Sequence, residues 1–217
     1  MIRAKTAGGL HEYVASEVLA KLTCSGKRAV DLGTGHGAMA ERLHLAGCEV
    51  RAADMSAKDF EAQLPHVEVN FDQPDFAATL GLNSFDIVTA IEVIEHVESP
   101  IGFLRNIRRL LSPTGVAVMT TPNVDCLPAR IKHLLTGRVR QMDSYGDSTH
   151  ISPIFYDLLT RQFLPRAGLQ LQEHLVFPPH GFQLSQKSVA WAMSLAVRFL
   201  PGESIAGDQH VLVLRPL

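Results

Sequence analysis

The sequence contains 217 residues, of which 46% are hydrophobic and 19% are charged. This composition supports a folded core and excludes a disordered or collagen-like chain, and the length suits one domain with appendages. Lys and Arg total 20 against 22 Asp and Glu, so the formal net charge of -2 gives no general electrostatic reason to bind nucleic acid or an anionic membrane.

The first part of the chain predicts helices alternating with short strands. Apolar residues at helical spacing indicate an amphipathic helix that ends before Ser25. Strands are predicted at 28–32, 49–53 and 67–71, with a helix after the first that stops at Gly47. A capping-box pattern of Ser56 and Asp59 predicts another helix that runs through residue 64.

The second part continues this alternation. Residues 85–90 are apolar except Asp86 and Thr89, which is typical of a strand covered on both faces. Ser99 and Pro100 predict a helix start, and residues 112–115 predict a turn before a strand at 116–120. A helix is expected from Ser152 to Gly168, then strands at 169–177 and 210–214 with an apolar helix at 187–200 between them.

These elements predict a doubly wound α/β fold with a mostly parallel sheet and an antiparallel last strand. We expect a single domain, 1–217. Its parts are an N-terminal helix at 1–25, a cofactor-binding half at 26–122, a lid or acceptor loop at 123–151 and C-terminal helices and strands at 152–217.

The cysteines and the chain start bear on the cellular compartment. Cys24, Cys48 and Cys126 lie far apart and form no C-x-x-C pair, which favours a reduced, cytoplasmic setting. No apolar run follows the first basic residues, so no secretory signal is predicted. The apolar stretch 189–200 is shorter than the ~20 residues that a transmembrane helix needs.

The most informative motif is a glycine-rich turn after the first strand, Asp31-Leu32-Gly33-Thr34-Gly35-His36-Gly37-Ala38. Such a turn lets a ligand approach the backbone closely. With Ala38 in the last position it also satisfies G-x-G-x-x-G/A, so a nicotinamide cofactor is an alternative. The carboxylate of Asp31 favours a cationic ligand end over a pyrophosphate, and Asp54 is placed to accept hydrogen bonds from ribose with either cofactor.

Together, D-L-G-x-G-x-G, the acid ending the second strand, F-D-I-V and E-V-I-E-H resemble the class I S-adenosylmethionine-dependent methyltransferases over about residues 28–122. The later H-I-S-P is similar to the branch that contains quinone-pathway O-methyltransferases. The resemblance implies a Rossmann-like, seven-stranded fold with helices on both faces. It also implies S-adenosylmethionine as cofactor.

The resemblance further implies a set of cofactor-binding residues. Asp31, Gly33 and Gly35 would surround the methionine part, Asp54 with Met55 the ribose, Asn70, Phe71 and Asp72 the adenine, and Ile91 and Glu92 the methionine end. Many relatives have an acid where this chain has Asn70. Its amide oxygen can accept the same hydrogen bond, so binding is expected to persist. Phe71 by itself suits core packing equally well.

Glu92, Glu95 and His96 are candidates for deprotonating the methyl acceptor. Their i, i+3, i+4 spacing would place them on one face of a helical turn. In some enzymes that E-x-x-E-H resembles, these residues and a later His, here His150, hold a divalent metal ion against the acceptor hydroxyl. The alternative is a metal-free site in which Glu92 touches the cofactor, Glu95 is solvated and His96 is either the base or a half-buried residue with satisfied hydrogen bonds. The candidate catalytic residues are His96, Glu92 and His150.

The expected function is S-adenosylmethionine-dependent methylation of a small molecule. The family resemblance and the Glu/His cluster favour a hydroxyl oxygen over nitrogen or carbon as the acceptor atom. A NAD(P)-binding oxidoreductase and a noncatalytic cofactor-binding module are the alternatives. Residues 126–142 contain four Lys and Arg and no acid, so they suit either an anionic acceptor or a solvated surface. Tyr145 and Tyr156 flank His150 in sequence and could line an acceptor pocket or pack in the core. The apolar helix at 187–200 could cap an apolar acceptor, rest on a membrane surface or pack into the core.

Overall fold

The computed structural model describes residues 2–144, 146–184, 187–197, 199, 200, 202 and 204–217. In this part of the chain seven strands form one sheet. They are β1 (Arg28–Leu32), β2 (Glu49–Asp54), β3 (His66–Glu68), β4 (Phe85–Ile91), β5 (Leu111–Pro122), β6 (Leu169–Phe177) and β7 (Gln209–Pro216). Their order is β3-β2-β1-β4-β5-β7-β6, and β7 runs opposite to the other six strands. The doubly wound α/β class with an antiparallel last strand is confirmed.

The described α-helices are α1 (Leu10–Glu17), α2 (Ala38–Leu45), α3 (Phe76–Leu80), α4 (Pro100–Leu110), α5 (Leu127–Thr136), α6 (Tyr156–Leu158), α7 (Leu164–Ala167) and α8 (Lys187–Val197), and short 3-10 helices lie at Leu19–Lys21 and Ile94–His96. A π-helical turn at 159–163 joins α6 to α7. The predicted start of α4 is confirmed, because Ser99 Oγ accepts a hydrogen bond from the Gly102 N–H at 3.2 Å and Pro100 follows as the first helical residue. None of the described helices combines the length and the apolar character that a membrane crossing requires.

The sheet is covered on both faces, as the apolar run of β4 predicted. Val88 and Ala90 belong to a core cluster beneath α3, α4 and α7, whereas Ile87 and Ile91 belong to a second cluster beneath α1 and α2. Successive side chains of a strand point to opposite faces, so a strand with helices on both sides is mostly apolar, as β4 is apart from Asp86 and Thr89.

The helix predicted at 56–64 is wrong. Ser56 Oγ instead accepts a hydrogen bond from the Lys58 N–H at 3.2 Å, and the segment continues as turns and bends. Phe60 packs against the His66 ring with 4.7 Å between centroids, and its Cε2 would lie 2.8 Å from a Cβ added at Gly37 of the glycine turn. These long-range contacts hold the segment in an irregular conformation, so they override the local capping pattern.

Several predicted boundaries also differ. β5 begins at Leu111, so the turn predicted at 112–115 forms an irregular start of that strand, with a register shift against β4. The segment predicted as a lid contains a helix, α5. Ser152 does not begin a helix; its hydroxyl donates to the Val97 carbonyl oxygen at 2.7 Å, and α6 begins at Tyr156.

Candidate functional site

A cavity of about 840 Å³ lies where β1, β2 and β4 end. Asp31, Asp54 and Ile91, each at or next to the last residue of its strand, line its wall. Strand order reverses between β1 and β4, and ligands of open α/β sheets bind in the crevice beyond such a switch point. The fold therefore places the predicted cofactor motif at the expected ligand site.

The glycine turn needs glycine for reasons that differ by position. Gly33 has a φ of +69°, and a Cβ there would lie 2.5 Å from Val93 Cγ2. Gly37 has a φ of +96°, and its Cβ would lie 2.7 Å from that of Ala62. Gly35, with a φ of +53°, lines the cavity, and its Cβ would meet only Lys5 Cδ, at 3.8 Å, among the described atoms. The turn thus presents bare backbone to a ligand.

Asp31 is 1% exposed and lies on β1, directly opposite Thr89 of the neighbouring strand β4. Its Oδ1 accepts a hydrogen bond from Thr89 Oγ1 at 2.6 Å, while Oδ2 has no partner among the described residues. Burial raises the pKa of Asp31 to about 6, although the Thr89 hydrogen bond opposes that rise. A buried carboxylate with one free oxygen in a cavity wall fits a cationic ligand group.

Asp54 is held at the cavity edge by the backbone. Its Oδ2 accepts from the Gly35 N–H at 2.8 Å and its Oδ1 from the Met55 N–H at 2.7 Å. Each carboxylate oxygen retains capacity for a further hydrogen bond, so the group fits a ligand hydroxyl. Met55 is 63% exposed and lies at the rim of the same cavity.

Of the three residues predicted near adenine, Phe71 lines the cavity, and Asn70 and Asp72 lie outside its described lining. Phe71 also packs against Phe76 and Phe103, with centroids 5.3 Å and 5.8 Å away, so it is both core and cavity wall. Asn70 Oδ1 accepts from the Asp72 N–H at 2.9 Å, and Asp72 Oδ1 accepts from Glu98 N–H at 2.8 Å. Those two polar side chains hold the turn that carries Phe71.

Glu92 does not share a helical face with Glu95 and His96, which corrects the sequence prediction. Glu92 has a φ of +56°, and the regular turn beyond it is a 3-10 turn at 94–96. Thr120 Oγ1 accepts from the Glu92 N–H and donates to Glu92 Oε1, both at 3.0 Å. This left-handed residue directly follows β4, and its carboxyl group points toward Thr120 of β5. Burial raises the pKa of Glu92 to about 7.

The structure does bring Glu95, His96 and His150 together. One ligand-capable atom of each lies within 4.8 Å of the other two. The two imidazole rings meet edge-on with centroids 4.7 Å apart, and both line the cavity. Glu95 is buried; its Oε2 accepts from Thr121 Oγ1 at 3.1 Å, and its Oε1 has no partner among the described residues. Burial and then the neighbouring Glu92 raise the Glu95 pKa well above its ordinary value.

The basic segment 126–142 is partly occupied by internal ion pairs. Lys132 pairs with Asp143, and Arg140 pairs with Asp208 at 2.6 Å. Tyr156 stacks on His174 with 4.3 Å between centroids and is not among the described cavity-lining residues, so core packing explains it. Tyr145, the other aromatic residue considered for an acceptor pocket, lies outside the described residues.

The apolar helix α8 packs against α5 on one side and is exposed on the other. Met193 and Val197 pack on a small core of Cys126, Ala129 and Phe182. Trp191, in contrast, is 70% exposed. Only part of the apolar stripe is therefore core.

Part of the cavity wall comes from residues that no sequence motif indicated. Arg3, Lys5, Thr6, His11 and Gln209 all line it. Among these residues, only His11, next to the apolar stripe of α1, gave a sequence signal that could have pointed to the cavity. Because these residues are remote in sequence from the glycine turn, only the tertiary fold brings them to it.

Comparisons with known proteins agree with this geometry. Residues 9–175 match the methyltransferase domain family. The ubiquinone biosynthesis O-methyltransferase of Cereibacter sphaeroides is 29% identical over 198 residues, covering 85% of this chain and 74% of that protein. The enzyme of the same name from Actinobacillus pleuropneumoniae is 30% identical over 109 residues, and the match spans 45% of this chain and 47% of that relative.

Solved structures share the fold. An S-adenosylmethionine-dependent methyltransferase from Mesorhizobium loti superimposes with a TM-score of 0.61 at 18% identity, covering 95% of this chain and 98% of that chain. The magnesium protoporphyrin IX methyltransferase of Synechocystis with bound S-adenosylhomocysteine has a TM-score of 0.62 at 16% identity, covering 95% and 82%. The family match removes the nicotinamide alternative. The chain belongs to the methyltransferase domain family and is a class I S-adenosylmethionine-dependent methyltransferase.

Proposed function

We propose that this enzyme transfers a methyl group to a hydroxyl oxygen of a small molecule. The observation that carries the proposal is the grouping of Glu95, His96 and His150 within 4.8 Å, with both imidazoles in the wall of the cavity that Asp31 also lines. A neutral hydroxyl is a poor nucleophile, so a group that removes its proton suits oxygen methylation. The O-methyltransferase relatives support the same acceptor class.

The cofactor roles follow from the cavity wall. Asp31 holds the ammonium group of the methionine tail, Asp54 accepts hydrogen bonds from the ribose, and Gly33 and Gly35 offer backbone to the tail. Phe71 lies against the adenine, while Ile91 and Glu92 flank the methionine end. Asn70 and Asp72 act indirectly, through the turn that positions Phe71. When bound, the sulfonium supplies an electrophilic methyl group, and alignment with the acceptor supplies much of the acceleration.

His96 is proposed as the base. Burial and the neighbouring His150 lower its pKa, so the ring is neutral and able to take a proton at neutral pH. Its Nδ1 lies 3.2 Å from the Thr149 carbonyl oxygen, and a proton on Nδ1 would donate to that oxygen. That tautomer leaves Nε2 as the hydrogen-bond acceptor for a substrate hydroxyl. His150 lies beside it, with its Nδ1 2.9 Å from the Gln141 carbonyl oxygen.

A second candidate mechanism uses a divalent metal ion. Glu95, His96 and His150 have the donor types and the spacing to hold one, and the Glu95 oxygen without a partner fits a ligand role. A bound cation would lower the pKa of an acceptor hydroxyl. Glu92 belongs to the predicted ligand set, but its carboxyl group is hydrogen-bonded to Thr120.

Kinetics of the His96→Ala variant test the proposed base. We expect turnover to fall about 100-fold or more, the usual contribution of a positioned base, with unchanged affinity for S-adenosylhomocysteine. Equal loss of cofactor affinity with unchanged turnover would exclude the role. Wild-type activity should be measured with and without EDTA, and full activity in EDTA excludes the metal mechanism. A panel of phenols, alcohols and amines tests the acceptor, and methylation of amines alone would refute oxygen transfer.

A further inference from the structure

The cavity wall contains buried polar atoms to which the roles above assign nothing. His11 is 6% exposed, and neither ring nitrogen has a partner among the described residues. Thr6 Oγ1 is likewise buried without a described partner. Both residues line the cavity beside Asp31. Leaving such groups unpaired costs free energy, which a bound ligand can recover.

These two residues lie on the cofactor side of the cavity. Glu12, the neighbour of His11, forms an ion pair with Arg42 of α2, and Arg42 Nη1 donates to the Ala38 carbonyl oxygen at 2.8 Å. Because α2 begins directly after the glycine turn, the Glu12–Arg42 ion pair holds the N-terminal end of α1 beside the glycine turn. Lys5, next to Thr6, comes within 3.8 Å of the Cβ position of Gly35.

We propose that Thr6 and His11 form a hydrogen-bonding subsite for the α-carboxylate of the methionine tail of the cofactor. This rests on the proposed role of Asp31 at the ammonium group. The two charged groups of the tail share one carbon atom, so a carboxylate must lie close to any ammonium bound at Asp31. It is repelled by that side chain and requires donors, which the Thr6 hydroxyl and an imidazole N–H supply.

The surrounding charges agree with an anionic ligand group. Arg3 lines the same wall, and the buried Arg42 lies near His11. Burial and then Arg42 lower the pKa of His11 to about 4, so the ring donates as a neutral imidazole. Gln209 also lines the cavity, but its buried atom without a described partner is Oε1, which only accepts hydrogen bonds, so Gln209 is not assigned to this subsite.

Calorimetry with two ligands that differ only in the carboxylate tests the subsite. The ligands are S-adenosylhomocysteine and its decarboxylated analogue, S-adenosyl-3-thiopropylamine. We expect His11→Ala and Thr6→Val each to weaken S-adenosylhomocysteine binding about tenfold or more, the value of one hydrogen bond to a charged group, while binding of the analogue changes less than twofold. Ser16→Ala, an exposed change on the same helix, should alter neither affinity.

Equal losses for the two ligands in both variants would show a packing role and overturn the proposal. Unchanged S-adenosylhomocysteine affinity with a raised KM for the acceptor would also overturn it, because the subsite would then serve the acceptor. The acceptor panel remains a separate measurement. If amines alone are methylated while the carboxylate-specific loss is found, oxygen transfer fails and the subsite stands.

Discussion

Thr89 and Asp31 are direct neighbours across β4 and β1, and the Thr89 hydroxyl donates a 2.6 Å hydrogen bond to Oδ1 of Asp31. Register partners in a sheet point to the same face, so this bond follows from strand pairing. It holds one carboxylate oxygen and leaves the other without a described partner in the cavity wall. The two central strands thus set the orientation of the proposed ammonium-binding group.

The first prediction concerns the pH dependence of cofactor affinity. Burial raises the pKa of free Asp31 to about 6, and a bound ammonium group favours the charged carboxylate and lowers that pKa. The affinity for S-adenosylhomocysteine should therefore be highest above pH 6 and should fall as the pH drops below that value. The decrease should approach about tenfold per pH unit. Calorimetry with S-adenosylhomocysteine from pH 8 to pH 5 checks this. Asp31→Asn should bind weakly without this dependence, and constant wild-type affinity would contradict the assignment.

The second prediction concerns Thr89→Val. The change keeps the side-chain shape and removes the hydrogen bond that favours charged Asp31, so the pKa of Asp31 should rise further. The midpoint of the affinity curve then moves to higher pH. The free energy of unfolding should fall by about 1–3 kcal/mol, because Oδ1 of the buried Asp31 loses its hydrogen-bond donor. A midpoint that moves to lower pH would show that the hydrogen bond does not stabilise the charged form.

The third prediction compares two glycines that share a left-handed backbone. Gly33 and Gly26 have φ values of +69° and +70°, but a Cβ at Gly33 clashes with Val93 and one at Gly26 meets no atom within 4 Å. Gly26→Ala should cost about 1–2 kcal/mol of unfolding free energy for the backbone alone. Gly33→Ala should cost about 1–3 kcal/mol more for overpacking. Urea titrations measure both values.

The control for Gly33→Ala is the double variant with Val93→Ala. It removes the atom that lies 2.5 Å from the new Cβ. We expect it to recover stability relative to the sum of the two single changes. Additive losses would show that the clash is not the cause.

The fourth prediction concerns the ion pair between Arg140 and Asp208. The Asp208 side chain is 3% exposed, and the pair joins the basic segment to the chain just before β7. Arg140→Met leaves a buried carboxylate without its cation and should cost about 3–5 kcal/mol of unfolding free energy. Adding Asp208→Asn should recover part of that loss in a urea titration. A double variant less stable than Arg140→Met would contradict this electrostatic account.

Much of the structure of segment 26–122 was predictable from local sequence. The glycine turn between β1 and α2, the Ser99-Pro100 helix start and the continuous apolar run of β4 each depend on backbone sterics, capping or two-sided burial. Those constraints act within a few residues or through repeating patterns. The sequence by itself therefore determined the order of the strands along the chain and the place of Asp31 and Asp54 at strand ends.

Tertiary structure decided which distant residues meet. It kept segment 56–64 out of a helix, turned Glu92 toward Thr120, placed His150 beside His96 and brought Thr6 and His11 to the cavity wall. None of these contacts follows from a local pattern, because each joins segments whose relative position depends on how the helices pack on the sheet. Burial and charge at the site, including the raised pKa of Asp31, depend on that packing for the same reason.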